Sequence, residues 1–173
     1  MSVRHDCFII SHPADRDHAE AFIARFRDVF IPRARGVTEA DGLAVSAEAD
    51  REPVLHAIRQ KYIWEARLTI VLTGECTWAS RFVDWEIAAA LRADEIGPRT
   101  GLLGIRLPYL GGARPAVVPE RFADNVDAEY ADFRGYPATS EELRYWVEGA
   151  LVRAQYGTPD NHRPLRTEDA ACP

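Results

Sequence analysis

Polar side chains that could contact a ligand concentrate in two short segments of this sequence, and each segment directly follows a strongly apolar run. Cys7 to Ile10 precedes the first segment and Leu68 to Thr73 precedes the second. The candidate binding residues there are Ser11, His12, Asp15, Thr77, Trp78, Ser80 and Arg81. Glu86 follows on a predicted helix, where a fixed carboxylate could stabilise positive charge on a bound ligand.

Each of these residues also has a structural interpretation. Glu86 lies in the early turns of an amphipathic helix, where a carboxylate favours the helix dipole. His12 and Asp15 could end a strand and cap a helix instead of touching a ligand. Trp78 is left open between packing and stacking on a base.

Three neighbours of these candidates are interpreted structurally. Trp85 is predicted to pack in the core, because large aromatic residues more often fill a core than bind a base. Asp84 is predicted to be a solvated partner of Arg81 at helical i,i+3 spacing. Cys76 has no patterned basic neighbour that would lower its pKa, so we predict no thiol nucleophile.

Apolar periodicity predicts that buried strands alternate with amphipathic helices. Strands are predicted at 7–10, 68–73, 102–107 and, as a short piece, 130–133. Helices are predicted over 15–30, 51–64, the stretch after Ser80, and 143–154. Residues 31–50 are predicted as a short strand and loop, and the rest of 114–137 as irregular. We predict one domain over 1–157, followed by a flexible tail at 158–173.

This alternation predicts the fold class. Parallel strands need crossover connections that cover both faces of the sheet, so we predict an α/β, three-layer, doubly wound parallel sheet of flavodoxin-like topology. Ligands in such sheets bind where the winding direction reverses, which here lies between the first and third strands. The two polar segments, 11–15 and 74–80, are expected to meet at that point.

Composition narrows the classes of function. The 173 residues carry a formal net charge of -6, with 27 acidic residues against 21 lysines and arginines, and this balance disfavours nucleic-acid binding. The first apolar stretch is too short for a signal sequence or a membrane span, so a cytoplasmic protein is expected. Cys7, Cys76 and Cys172 are predicted to be reduced and unligated, and no metal site is predicted.

The second segment carries a family resemblance. Its residues from Ser80 to Ile87 read Ser-Arg-Phe-Val-Asp-Trp-Glu-Ile after the run Thr-Ile-Val-Leu-Thr-Gly. This resembles the TIR pattern of a strand, a serine-containing loop, an aromatic residue, a small residue, any two residues and a glutamate, with Phe82, Val83 and Glu86 in those places. The version found here is similar to the TIR-like family typified by the NAD-processing subunit of Thoeris antiphage systems. The resemblance covers roughly residues 6–110, and residues 65–67 and 36–50 depart from the pattern.

The resemblance implies an NAD+ nucleosidase or cyclase of antiphage defence, with Glu86 as the catalytic residue and Phe82 among the substrate-binding residues. NAD+ would be a substrate and not a cofactor, and the nicotinamide–ribosyl bond would be cleaved to give an ADP-ribose-derived, cyclic signal. Amides at the helix starts, with Ser11, Ser80 and Arg81, would bind the pyrophosphate. The implied partners are a second TIR-like domain for self-association and a separate effector protein that senses the product.

Two alternatives stay open at this point. The chain could be a TIR-like module that assembles or binds a nucleotide without turnover, because this fold hosts both roles. It could also resemble a nucleoside deoxyribosyltransferase, which uses a glutamate against a ribosyl cation but passes the sugar to another base. The sequence has no glycine-rich dinucleotide motif and no phosphate-binding loop motif, which argues against a redox Rossmann enzyme or a nucleotide triphosphatase.

Overall fold

The fold is known from a computed structural model that describes residues 3–33, 36–111 and 117–173. The strands are β1 (His5–Ser11), β2 (Phe30–Arg33), β3 (Leu68–Thr73), β4 (Gly101–Arg106) and β5 (Ala131–Arg134). The helices are α1 (Arg16–Arg25), α2 (Arg51–Ile58), α3 (Arg81–Ala90), α4 (Glu120–Asp127) and α5 (Ser140–Tyr156). A π-helical turn, Arg59–Ile63, continues α2.

The described strands form one parallel sheet in the order β2-β1-β3-β4-β5. Ile9 lies opposite Ile70, and Ile70 lies opposite Leu103, so the three central strands are in register. The connection after β1 leads outward in one direction and the connection after β3 leads outward in the other. The winding therefore reverses between β1 and β3, which confirms the predicted flavodoxin-like, doubly wound arrangement.

Two apolar clusters cover the two faces of the sheet. Successive side chains of β1 point to opposite faces of the sheet, as they do in any β-strand. Ile9 packs with Phe22 of α1 and Val147 of α5, whereas Phe8 packs with residues of α2, α3 and α4. The sheet is thus the middle of three layers, and α1 and α3 lie on opposite faces beside the point of reversal.

The element boundaries differ from the predictions in two places. Phe30, predicted at the end of the first helix, is the first residue of β2. Its spacing from Phe26 matches a helical face, but α1 has already ended at Arg25. Helix α4 lies inside the region predicted as irregular, and its buried face includes Arg121 and Asn125, which a search for apolar periodicity does not count. Residues 34–35 of the predicted loop and 114–116 of the irregular region lie outside the described residues.

The segment 158–173 has a defined course along α3 and α4, which differs from the flexible tail predicted. The guanidinium of the buried Arg121 donates hydrogen bonds to Asn161 Oδ1 and to the carbonyl of Pro164. Leu165 is buried in the core. Buried hydrogen-bond donors need partners, and here the carbonyls of an irregular segment supply them.

Candidate functional site

Glu86 lies in the second turn of α3 with its carboxyl group buried. The helix starts at Ser80, whose Oγ accepts a hydrogen bond from Val83 N–H at 3.4 Å. Ala88, Ala89, Ala90 and most of their neighbours on α3 are buried as well, so the helix has little exposed surface on which Glu86 could lie. Glu86 is 3% exposed.

A loop residue far away in sequence contacts this carboxyl group. The N–H of Val37 donates a hydrogen bond to Glu86 Oε1 at 2.6 Å. Gly36 lies so close that a β-carbon there would overlap Glu86 Oε1. The segment 36–38 therefore covers the carboxyl group, and it can do so because residue 36 has no side chain.

The environment of Glu86 favours its neutral form. Burial raises its pKa to about 8, an effect that the Val37 hydrogen bond opposes and that Asp41 adds to. A carboxyl group with this pKa is largely protonated at pH 7. Titratable groups in clefts whose pKa values are strongly shifted are candidates for functional residues, and Glu86 is such a candidate.

Glu86 lines a cavity of about 510 Å³ at the reversal point of the sheet. This volume lies within the usual range for small-molecule sites, about 300–1,000 Å³. Three parts of the chain form its wall: the end of β1 with the following turn and one face of α1, the segment 36–38, and the start of α3. The lining residues are Ile9, Ser11, His12, Pro13, Arg16, Ala19, Glu20, Ile23, Gly36, Val37, Thr38, Ser80, Phe82, Val83 and Glu86.

The structure brings together five of the predicted site residues around this cavity: Ser11, His12, Ser80, Phe82 and Glu86. His12 also caps a short 3-10 turn, because its Nδ1 accepts a hydrogen bond from Ala14 N–H at 3.1 Å. The structural and ligand-facing interpretations of His12 are therefore compatible. Its capping role uses one ring nitrogen and leaves the other out of that hydrogen bond.

The other four predicted residues are outside the cavity lining. Asp15 is buried and accepts a hydrogen bond from Tyr109 Oη at 2.7 Å. The hydroxyl of Thr77 is also buried and accepts a hydrogen bond from Gly74 N–H at 2.8 Å. The Thr77 hydroxyl thus satisfies an amide of the loop after β3, whereas Asp15 connects the turn after β1 to the segment after β4.

Trp78 lies in the turn before α3, and Arg81 is the first residue of that helix. The carbonyl of Trp78 accepts a hydrogen bond from Arg166 at 2.7 Å. The guanidinium of Arg81 pairs with Glu39 at 2.6 Å and lies over the ring of Phe82. Arg81 thus connects the 36–50 loop to the start of α3.

The predicted pairing of Asp84 with Arg81 is wrong. Asp84 is buried, and its Oδ1 accepts a hydrogen bond from Arg121 Nε at 2.8 Å. Helical spacing made Arg81 a plausible partner, but α4 packs against α3 and brings a buried guanidinium to the opposite side of Asp84. Trp85 is packed in the core as predicted, and its Nε1–H donates to the carbonyl of Arg166 at 2.7 Å.

Two of the cysteines predicted to be reduced form a disulfide. Cys76 and Cys172 are bonded, with Cα atoms 5.6 Å apart, whereas Cys7 is buried and free. Near this bond the tail contacts the start of α3, where Asp169 Oδ1 accepts a hydrogen bond from Arg81 N–H at 2.7 Å. The pairing depends on the course of the tail, so spacing along the chain contained no signal for it.

One wall of the cavity, formed by α1, was not predicted from the sequence. Arg16, Ala19, Glu20 and Ile23 form one helical face of α1. The spacing of the two apolar members is visible in the sequence, but it indicates burial against a sheet equally well. The segment 36–38 had no motif, and its glycine was the available signal for a close approach.

The described residues contain neither a metal-binding cluster nor a membrane-spanning helix. Across 3–33, 36–111 and 117–173, no group of three or more histidines, cysteines, aspartates and glutamates is placed to hold a metal ion. No helix in those ranges has the length and apolar character needed to cross a membrane.

Comparison with known proteins gives one family match. The family model described as Thoeris protein ThsB, TIR-like domain, matches residues 10–111, more than half of the chain. The matched range includes Glu86 and every residue that lines the cavity except Ile9. No curated protein matches the chain.

Proposed function

Because the chain belongs to the family of Thoeris ThsB TIR-like domains, we propose that this antiphage-defence domain cleaves the nicotinamide–ribosyl bond of NAD+, with Glu86 as the catalytic residue. The observation that carries the proposal is the position of the Glu86 carboxyl group in the wall of the cavity at the reversal point of the sheet. The TIR pattern predicted a glutamate at this place in the chain.

The chemistry requires little from the protein beyond one carboxylate. When the bond between ribose C1′ and the pyridinium nitrogen breaks, its electron pair moves to that nitrogen, and neutral nicotinamide leaves without a proton. Positive charge then develops on the ribose ring, and an ionised Glu86 would stabilise it. Attack by water, with loss of a proton, gives ADP-ribose, whereas attack by a nucleophile of the same molecule gives a cyclic product.

Glu86 must be ionised for this role, and burial raises its pKa to about 8. A bound pyridinium cation would lower this pKa, since an opposite charge nearby favours the carboxylate. The ribose hydroxyls could then replace Val37 N–H as hydrogen-bond partners. On this proposal the substrate generates the reactive form of the enzyme.

The remaining parts of the proposal concern the cellular context. NAD+ is a substrate, and the domain needs no cofactor. The product is an ADP-ribose-derived, cyclic signal, and a separate effector protein senses it. The domain acts in the cytoplasm and associates with itself.

The test compares wild type, Glu86→Gln and Glu141→Gln for nicotinamide release from NAD+, followed by mass spectrometry. Purified protein and lysates of phage-infected expressing cells are both assayed. Glu141 is an exposed residue at the start of α5 and serves as the control. We expect release in wild type and Glu141→Gln, and a loss of about 10²-fold or more in Glu86→Gln.

Other results would contradict the proposal. Full turnover by Glu86→Gln would remove Glu86 from the mechanism. The absence of nicotinamide release in every condition would favour a module that assembles or binds a nucleotide without turnover. Transfer of deoxyribose between bases, with NAD+ intact, would favour a nucleoside deoxyribosyltransferase.

A further inference from the structure

The cavity presents a charge problem for a dinucleotide substrate. The diphosphate of NAD+ is doubly negative, while two carboxyl groups, those of Glu20 and Glu86, line the cavity. The chain as a whole has a formal net charge of -6, so the general field of the protein does not attract an anion. A local donor is needed to hold the diphosphate.

The amides expected to supply that donor at the start of α3 already have partners. Arg81 N–H donates to Asp169 Oδ1 at 2.7 Å, and Val83 N–H donates to Ser80 Oγ at 3.4 Å. The carboxylate of Asp169 occupies the position at which an anion would meet the first amide. This helix start is therefore a poor site for a phosphate in the present arrangement.

Amides in the turn before α1 also donate hydrogen bonds to groups of the protein itself. Ala14 N–H donates to His12 Nδ1, and the N–H of Arg16 donates to the carbonyl of Pro13. The amides of Ala14, Arg16, Arg81 and Val83 are thus engaged within the protein. A side chain is the better candidate for the diphosphate.

Arg16 has the required charge and position. It is the first residue of α1. Among the residues that the structure describes, the cavity lining contains one arginine, which is Arg16, and no lysine. Its side chain is 76% exposed and pairs with Glu20, which is exposed as well, at 3.2 Å. Exposed ion pairs of this kind contribute little to stability, so a phosphate can replace Glu20 at little cost.

We infer that Arg16 binds the diphosphate of the substrate, which replaces Glu20 as the partner of its guanidinium. This inference rests on the proposed function for the identity of the ligand. The planar guanidinium can donate two parallel hydrogen bonds to phosphate oxygens, which the ammonium of a lysine cannot match. Glu86 and Arg16 would then hold the ribosyl and diphosphate parts of one molecule from different walls.

The experiment measures the binding of ADP-ribose and of adenosine to purified protein by calorimetry, which requires no turnover. The variants are Arg16→Ala, Arg16→Lys, Glu20→Gln and Arg27→Ala. Arg27 is an exposed arginine just beyond α1 and outside the cavity lining, so Arg27→Ala removes the same charge elsewhere. Nicotinamide release gives kcat and KM for the same set.

We expect Arg16→Ala to weaken ADP-ribose binding at least 10-fold, Arg16→Lys to recover part of it, and Arg27→Ala to match wild type. Glu20→Gln should tighten binding, because it removes the carboxylate that competes for Arg16. Adenosine binding should be unchanged in all four variants. In turnover, Arg16→Ala should raise KM and leave kcat within about threefold.

Two results would overturn the inference. One is unchanged ADP-ribose binding in Arg16→Ala, and the other is an equal loss for ADP-ribose and adenosine, which would indicate a structural effect. If ADP-ribose binding depends on Arg16 while NAD+ is not cleaved, the proposed reaction fails and the diphosphate site stands. If NAD+ is cleaved and Arg16→Ala binds normally, the reverse holds.

Discussion

Val37 and Glu86 are joined by a hydrogen bond of 2.6 Å between a loop N–H and a buried carboxyl oxygen, across 49 positions of the sequence. This contact places the 36–38 segment over the candidate catalytic group. The Val37 N–H stabilises the carboxyl group and is hydrogen-bonded to one of its two oxygens. On the proposed function, a ribose that binds at this oxygen would exchange this hydrogen bond.

Gly36→Ala should destabilise the protein, because the new β-carbon would overlap Glu86 Oε1 and displace the carboxyl group from Val37 N–H. Loss of a buried hydrogen bond predicts a decrease of about 1–3 kcal/mol in the free energy of unfolding. Urea denaturation of the variant and wild type measures it. Gly97→Ala is the control, because a β-carbon at Gly97 meets no atom within 4 Å. Equal stabilities of the two variants would contradict the close approach at Gly36.

The stability of the protein should depend on pH through Glu86. Its pKa of about 8 lies above the ordinary glutamate value of 4.5, so the folded state favours the neutral form. The stabilisation is complete below pH 4.5, the unfolded-state value, and is lost as the pH rises toward 8. Over this window the loss is on the order of a few kcal/mol.

The measurement for this prediction is the free energy of unfolding of wild type minus that of Glu86→Gln, at intervals from pH 5 to pH 8. The difference isolates Glu86, because glutamine does not titrate and the other ionisable groups are common to both proteins. We expect the difference to fall steadily with pH. A flat difference would mean that the folded protein does not raise the pKa of Glu86.

Arg121→Ala should be strongly destabilising. It would leave the buried carboxylate of Asp84 without its guanidinium partner and would remove the donors to Asn161 and Pro164. Breaking a buried ion pair on one side costs about 3–5 kcal/mol. Arg134→Ala is the control, since Arg134 pairs with Asp132 at the surface and such pairs contribute about 0–1 kcal/mol. Thermal and urea denaturation should separate the two variants, and similar losses would argue against the Asp84–Arg121 pair.

Reduction of the Cys76–Cys172 disulfide should lower the free energy of unfolding. The bond links residues 96 apart, and cross-links that close long loops typically stabilise proteins by about 2–4 kcal/mol. Urea denaturation with and without dithiothreitol tests this, and the Cys172→Ser variant should match the reduced wild type. Dithiothreitol should have no effect on that variant. An unchanged wild type after verified reduction would show that the tail contacts hold without the bond.

The amino-acid sequence was sufficient to predict the parallel sheet and the position of Glu86 on the helix that follows β3. β1, β3 and β4 are continuous apolar runs. Burial of such a run is favourable whichever elements cover it, so these strands can be predicted without knowing how the helices pack. The carboxyl ends of parallel neighbours share one edge, so the sequence predicts that Ser11 and Ser80 lie near one another. Glu86 follows Ser80 on the same helix, and the family pattern assigned its role.

The contacts that shape the site depend on how distant segments pack. The local pattern does not identify Glu86 as the group that Gly36 approaches, Arg121 as the partner of Asp84, or Cys76 as the residue to which the tail returns. Periodicity reports which face of an element is apolar, while these contacts depend on the path of the chain between elements. Polar partners in a core are selected by proximity and by the need to satisfy buried donors, and both exist only once the layers have packed.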